Sequence, residues 1–166
     1  MISHFINERR LNAFGIVEEP RDDVYRSLLA WCASRCTTGL VLVRDTNTIT
    51  ENATRIIDSV APEITSVEQT QQWPGTTLLG ANDYATLYRF RLTPLTIDLT
   101  ITAVDGLYEW AGPNKPEDLC LLRSDGAALL VTIAHERDAY LSLTTSEAAE
   151  IGHVVPHLKI ASHPRL

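Results

Sequence analysis

The 166-residue chain is 45% hydrophobic and 21% charged, enough for one domain with its own core and unlike a disordered segment. Its formal net charge of −7 disfavours nucleic acid, a polyanion it would repel, and suits a basic protein partner. No apolar run approaches the ~18 residues of a membrane span. The opening Met1–Phe14 is too polar for a signal peptide. These features read as one cytoplasmic globular domain over residues 1–166, with no membrane contact.

Taken in chain order, the first clear element is a helix over Arg21–Cys36. Asp22 is its expected cap, and Val24, Leu28, Trp31 and Cys32 recur at helical spacing. Gly39–Asp45 reads as a buried strand, and Thr50–Ile64 as a shorter helix stopped by Pro62. Thr65–Asp83, with its Trp73-Pro74-Gly75, is polar and reads as loop. In the next stretch, Tyr84, Thr86, Tyr88, Phe90 and Leu92 alternate with Arg89 and Arg91, which denotes a strand.

Leu95, Ile97, Leu99, Ile101 and Ala103 alternate with Thr96, Asp98, Thr100 and Thr102, and this near-perfect period of two predicts a second strand. Folded back around Thr93–Pro94, it would set Phe90 opposite Ile97 and Arg89 opposite Asp98. Asp125–Gly126 then predicts a type I′ hairpin, with Leu122 opposite Leu129 and Cys120 opposite Val131. Its continuous apolar runs imply a central strand pair covered on both faces. Ala139–Leu143 returns as a strand. Thr144 and Glu147 form a capping box for a helix ending at Gly152, and the tail from His153 reads as extended. The order predicts an α+β fold: an antiparallel β-meander sheet of about five to six strands packed against two to three helices.

Chemistry is sparsely marked. Cys32, Cys36 and Cys120 lack zinc-type spacing and read as reduced core cysteines. There is no G-x-S-x-G elbow and no G-x-x-x-x-G-K phosphate loop. His153 and His157 would lie ~13 Å apart on an extended segment, too far to share a metal. The His135-Glu136-Arg137-Asp138 cluster reads first as a charged turn. His135 beside Glu136 is raw material for acid–base chemistry, but neighbours in a strand face opposite ways. No cofactor, metal-ligand set or catalytic residue is assigned.

The best surface candidate is Asp105–Leu119, where Tyr108 and Trp110 stand among Glu109, Glu117 and Asp118. Aromatic anchors ringed by carboxylates suit contact with a basic protein. Glu136 and Asp138 form a possible second patch. The same aromatics, and Trp73, could instead seal the core.

The run Tyr108–Leu143, with Trp110, Pro116-Glu117-Asp118-Leu119, the Asp125–Gly126 hairpin and His135-Glu136, resembles a pattern found in small uncharacterised bacterial single-domain proteins. In size, acidity and layout the whole chain is similar to immunity proteins of bacterial toxin systems. That resemblance implies a non-enzymatic binding module of the immunity or antitoxin type, covering a basic toxin surface. The alternatives are a small hydrolase or metal-assisted enzyme using His135 and Glu136, and a structural subunit of a larger assembly.

Overall fold

Antiparallel pairing organises residues 10–163, the part of the chain described by a computed structural model. Most of the polar opening stretch Met1–Phe14 therefore lies outside the described residues. The elements run β1 (Asn12–Ile16), α1 (Asp22–Ala33), β2 (Thr38–Arg44), α2 (Glu51–Val60), β3 (Ile64–Thr70), β4 (Gln72–Trp73) and β5 (Thr76–Thr77). They continue with β6 (Ala85–Arg91), α3 (Pro94–Thr102), β7 (Glu117–Leu122), β8 (Ala128–Ile133), β9 (Asp138–Leu143), α4 (Thr145–Val154) and β10 (Ile160–Ser162).

Eight strands form one antiparallel sheet in the order β10-β1-β9-β8-β7-β2-β6-β3, and β4 with β5 forms a small separate hairpin. The α+β class and the antiparallel sheet agree with expectation. The expected five to six strands and two to three helices fall short of the ten strands and four α-helices among the described residues. The late meander β7–β8–β9 is inserted between β1 and β2, so the expected central strand pair does occupy the middle of the sheet. Leu119 and Leu121 of β7 join the core beneath α1, α3 and α4, while Cys120 and Leu122 join a second core on the other face. Trp73 of the β4–β5 flap covers that second face together with Leu78. On β2, Gly39 leaves room for the Phe90 ring: a Cβ there would sit 2.3 Å from Phe90 Cζ. No helix among the described residues is long and apolar enough to cross a membrane.

The largest departure from the sequence reading is α3. Pro94–Thr102 is helical, so Phe90 is not opposite Ile97 and Arg89 is not opposite Asp98; Arg89 pairs instead with Glu68 on β3. Thr93 caps the helix, accepting from Thr96 N at 3.2 Å, while Thr96 Oγ1 accepts from Thr93 N at 2.8 Å. Pro94 follows at the first helical position, where its missing N–H costs nothing. The threonines that look like a wet strand face return their hydroxyls to carbonyls: Thr100 to Ile97 O at 2.8 Å, Thr102 to Asp98 O at 2.8 Å. Thr96 and Thr100, four apart, form the buried stripe. In so short a segment, a period of two in polarity did not exclude a helix with apolar residues on most sides.

Smaller corrections share a theme of local chemistry. The polar Thr65–Asp83 contains edge strand β3 and the flap hairpin, because an edge strand half in solvent need show no apolar alternation. The Asp125–Gly126 turn is a type I turn closed by a glycine bulge, not type I′: Gly126 N donates to Arg123 O at 2.9 Å, Arg123 N to Ala127 O at 2.8 Å, and only Gly126 has positive φ there. The bulge shifts Leu122 from the expected Leu129 to Ala128, while Leu121 opposite Leu130 keeps the expected diagonal. Helix α1 is capped by extended Arg21 without a side-chain bond, and Asp22 instead donates its N–H to Asp105 O at 2.7 Å. The Thr144–Glu147 capping box is present, but α4 runs past Gly152 to Val154 before the chain returns as β10.

Removing the α3 cap by Thr93→Ala should cost about 1 kcal/mol. Chemical denaturation with an unchanged m-value would show this as a lower midpoint; a midpoint equal to wild type would contradict the capping role.

Candidate functional site

The residues singled out from sequence divide into a buried set and a surface set. Trp110 is 1% exposed and belongs to the main core. Its Nε1 donates to Tyr25 Oη at 3.0 Å, and that hydroxyl donates to Thr100 O at 2.6 Å. The relay ties the 105–110 loop, α1 and α3 together, and burial pushes the Tyr25 phenol far above its usual range. Trp110 is therefore a core residue in this fold, and the expectation of an exposed aromatic anchor is corrected at this position. Trp73 is likewise buried.

Asp118, 2% exposed, is also removed from the surface. Between Leu40 and Leu42 the β2–β7 register shifts, and Asp118 takes a left-handed φ of 54° at this bulge. The bulge re-aims the carboxylate inward. Its Oδ1 accepts Ala134 N at 2.9 Å, and its Oδ2 accepts Trp73 Nε1 at 3.1 Å. One carboxylate thus clamps β7, the flap and the start of the β8–β9 turn. Beside it, Glu117 Oε1 accepts Asn47 Nδ2 at 3.0 Å and Gly112 N at 3.3 Å, with Arg44 Nε 3.6 Å from Oε2. Burial raises both carboxyls; Arg44 opposes this most for Glu117, and the Ala134 and Trp73 hydrogen bonds do so for Asp118.

The surface set converges on a residue that the sequence did not mark, Glu19. Its Oε1 accepts Tyr108 N at 3.0 Å and lies 3.3 Å from Arg21 Nη1; its Oε2 accepts Arg137 Nη2 at 3.1 Å. Arg137, left-handed at φ 53°, lays its guanidinium 5.4 Å from the Tyr108 ring centroid. Glu109 Oε2 accepts Arg21 Nη2 at 3.3 Å and Asp105 N at 3.2 Å. Tyr108 is left only 8% exposed, wedged beneath Arg137 rather than presented to solvent. The only signal for Glu19 was its position before Pro20 at the start of a helix, too common to single it out.

This node brings the β1–α1 connection, the 105–109 segment and the 135–138 turn to one end of the molecule. Segments 18–26, 105–109, 135–138 and 157–159 together carry eight carboxylates against four Arg and Lys. Glu136 is exposed there, with Asp138 half-buried beside it. The two patches expected separately, Tyr108–Trp110 and Glu136–Asp138, are parts of one surface, with Trp110 withdrawn beneath it.

His135–Arg137 does form the turn between β8 and β9, His135 and Glu136 with Ala134 making a 3-10 segment, and Asp138 opens β9. His135 Nε2 lies 3.7 Å from Glu136 Oε1, with both side chains exposed. His153 and His157 stand apart, one in α4 and one in the turn before β10. Among the described residues, no three His, Cys, Asp or Glu side chains are placed to hold a metal.

Trp110→Ala should lower folding stability by about 3–5 kcal/mol, a large share of the roughly 5–15 kcal/mol of an ordinary domain. Denaturation followed by circular dichroism would show it, and a loss below 1 kcal/mol would return Trp110 to the surface. For Glu117, the raised folded pKa means its contribution to stability is fully present below the usual carboxylate range and is lost as pH rises through the folded value. Relative to wild type, Glu117→Gln should therefore be better tolerated at pH 7 than at pH 4. Denaturation at the two pH values measures the difference, and the opposite order would contradict the burial penalty. No family model, curated protein or solved structure matches this chain.

Proposed function

We propose that this protein is a non-enzymatic binding module of the immunity or antitoxin type, which uses its acidic end to cover a basic surface on a partner protein. The observation that carries this reading is the assembly of eight carboxylates, Glu19 at their centre, from three separate segments, 18–26, 105–109 and 135–138. Like charges gathered from distant parts of a chain repel one another, and the arrangement is sustained by Arg21 and Arg137 pinning the centre while Glu136 remains exposed. Such a surface steers a basic partner by long-range attraction and rejects acidic ones.

With Trp110 and most of Tyr108 withdrawn, the surface lacks large aromatic anchors. Binding through it rests on charge-assisted hydrogen bonds from partner arginines and lysines, so it is sensitive to salt. The same scaffold logic assigns Tyr108 and Asp118 a supporting part: they hold the loop and the turn in register.

Native mass spectrometry of the tagged protein recovered from its own host should show a stoichiometric basic protein. The complex should dissociate as salt is raised, and it should be lost in the double variant Glu136→Lys/Asp138→Lys. Association rates for the isolated pair should fall by about tenfold or more in that variant at low salt, with dissociation changed much less. Equal capture by wild type and the double variant, or a partner that is not basic, would overturn the reading.

A further inference from the structure

Just beyond the backbone bond from Val17 N to Lys159 O, 2.9 Å, the β1 and β10 chains separate and open a cleft of about 320 Å³. Residues Glu18, Glu19, Pro20, Arg21 and Val24 line it from the β1–α1 side, and His157, Leu158 and Lys159 from the β10 side. The volume is at the lower end of small-molecule sites, roughly 300–1,000 Å³. His157 holds a left-handed φ of 69°, a conformation that a non-glycine residue rarely adopts and one found at ligand clamps.

The charges of the cleft differ in how firmly they are engaged. Arg21 is held from behind by Glu19 and Glu109, each at 3.3 Å. Among the described residues Glu18 and Lys159 pair with each other: Lys159 Nζ donates to Glu18 Oε2 at 2.6 Å, and both side chains are about two-thirds exposed. An ion pair in that position is screened by water and contributes little to the fold, so its two heads exchange readily for others. A ligand with a single charge would satisfy one head and strand the other. A ligand carrying an ammonium and a carboxylate on one small frame would satisfy both, while its remaining surface meets Val24 and Leu158.

We infer that this cleft binds a small zwitterion, a free α-amino acid, whose carboxylate pairs with Lys159 and whose ammonium pairs with Glu18. Arg21 and His157 bound the space available to the ligand side chain. The cleft lies at the edge of the acidic surface described above and shares Glu18, Arg21 and Lys159 with it, but the inference does not depend on the protein-binding role.

The test is a nitrogen-15 NMR titration of the whole protein with each proteinogenic amino acid, with acetate and ethylammonium as single-charge controls. At least one amino acid should shift the amides of Val24, His157, Leu158 and Lys159 saturably, with an affinity of about millimolar or better. Neither control should do so. Lys159→Gln and Glu18→Gln should each weaken the binding by about two- to fivefold, the loss of one solvent-exposed charge pair. Because both side chains are exposed, the rest of each variant's spectrum should overlay that of the wild type. The inference is overturned if no amino acid gives a saturable shift at these amides, if acetate or ethylammonium shifts them equally, or if either variant binds as well as the wild type.

Discussion

The β2–β7 pairing is the seam on which the rest of this structure depends. To one side of it lie β6 and β3, formed early in the chain; to the other lie the meander β7–β8–β9 and the strands β1 and β10. Without that pairing the sheet divides into two pieces, neither of which covers both faces of its own strands. The seam joins residues about eighty positions apart, Thr38 opposite Leu122 and Leu40 opposite Cys120. Its irregularity matters as much as its regular part. One extra residue on β7 turns Asp118 inward, and that buried carboxylate is stabilised by two N–H donors from elsewhere in the fold, Trp73 and Ala134.

From the seam, two polar networks run in opposite directions. The Asp118 clamp reaches the flap and so keeps Trp73 over Leu40, Leu42, Leu87 and Val131 on one face of the sheet. On the other face the Trp110–Tyr25–Thr100 relay stitches α1 and α3 through hydrogen bonds that leave neither the indole N–H nor the phenol unpartnered. The two meet at the 105–118 segment, which begins against α1 and ends as β7. The aromatic residues that looked like an interface in sequence are therefore the means by which that segment is held down. What they leave outside is a rim of carboxylates around Glu19, which is why the reading of function now rests on charge rather than on aromatic anchors.

Much of the fold was legible. The apolar stripe of α1, the continuous apolar runs of β2, β7 and β8, the Asp-Gly hairpin and the Thr144–Glu147 capping box are local signals, and each element formed where its signal lay. The candidate site was legible only in part. Its carboxylates could be named, but Glu19 could not, because nothing in the residues around it says that Tyr108 and Arg137, some ninety and over a hundred positions away, will donate to it.

By itself, then, the sequence determined the class of the fold, the central meander and the acidity, because periodicity, turn chemistry and net charge are properties of neighbouring residues or of their sum. Tertiary structure decided the rest. Leu95–Ala103 is compatible with a strand by its period of two and with a helix by its Thr93–Pro94 start, and packing against α1 selects the helix. Trp110 and Asp118 have the same side chains in a core or on a surface; which they occupy depends on what folds over them, and those partners, Tyr25, Trp73 and Ala134, lie elsewhere in the chain.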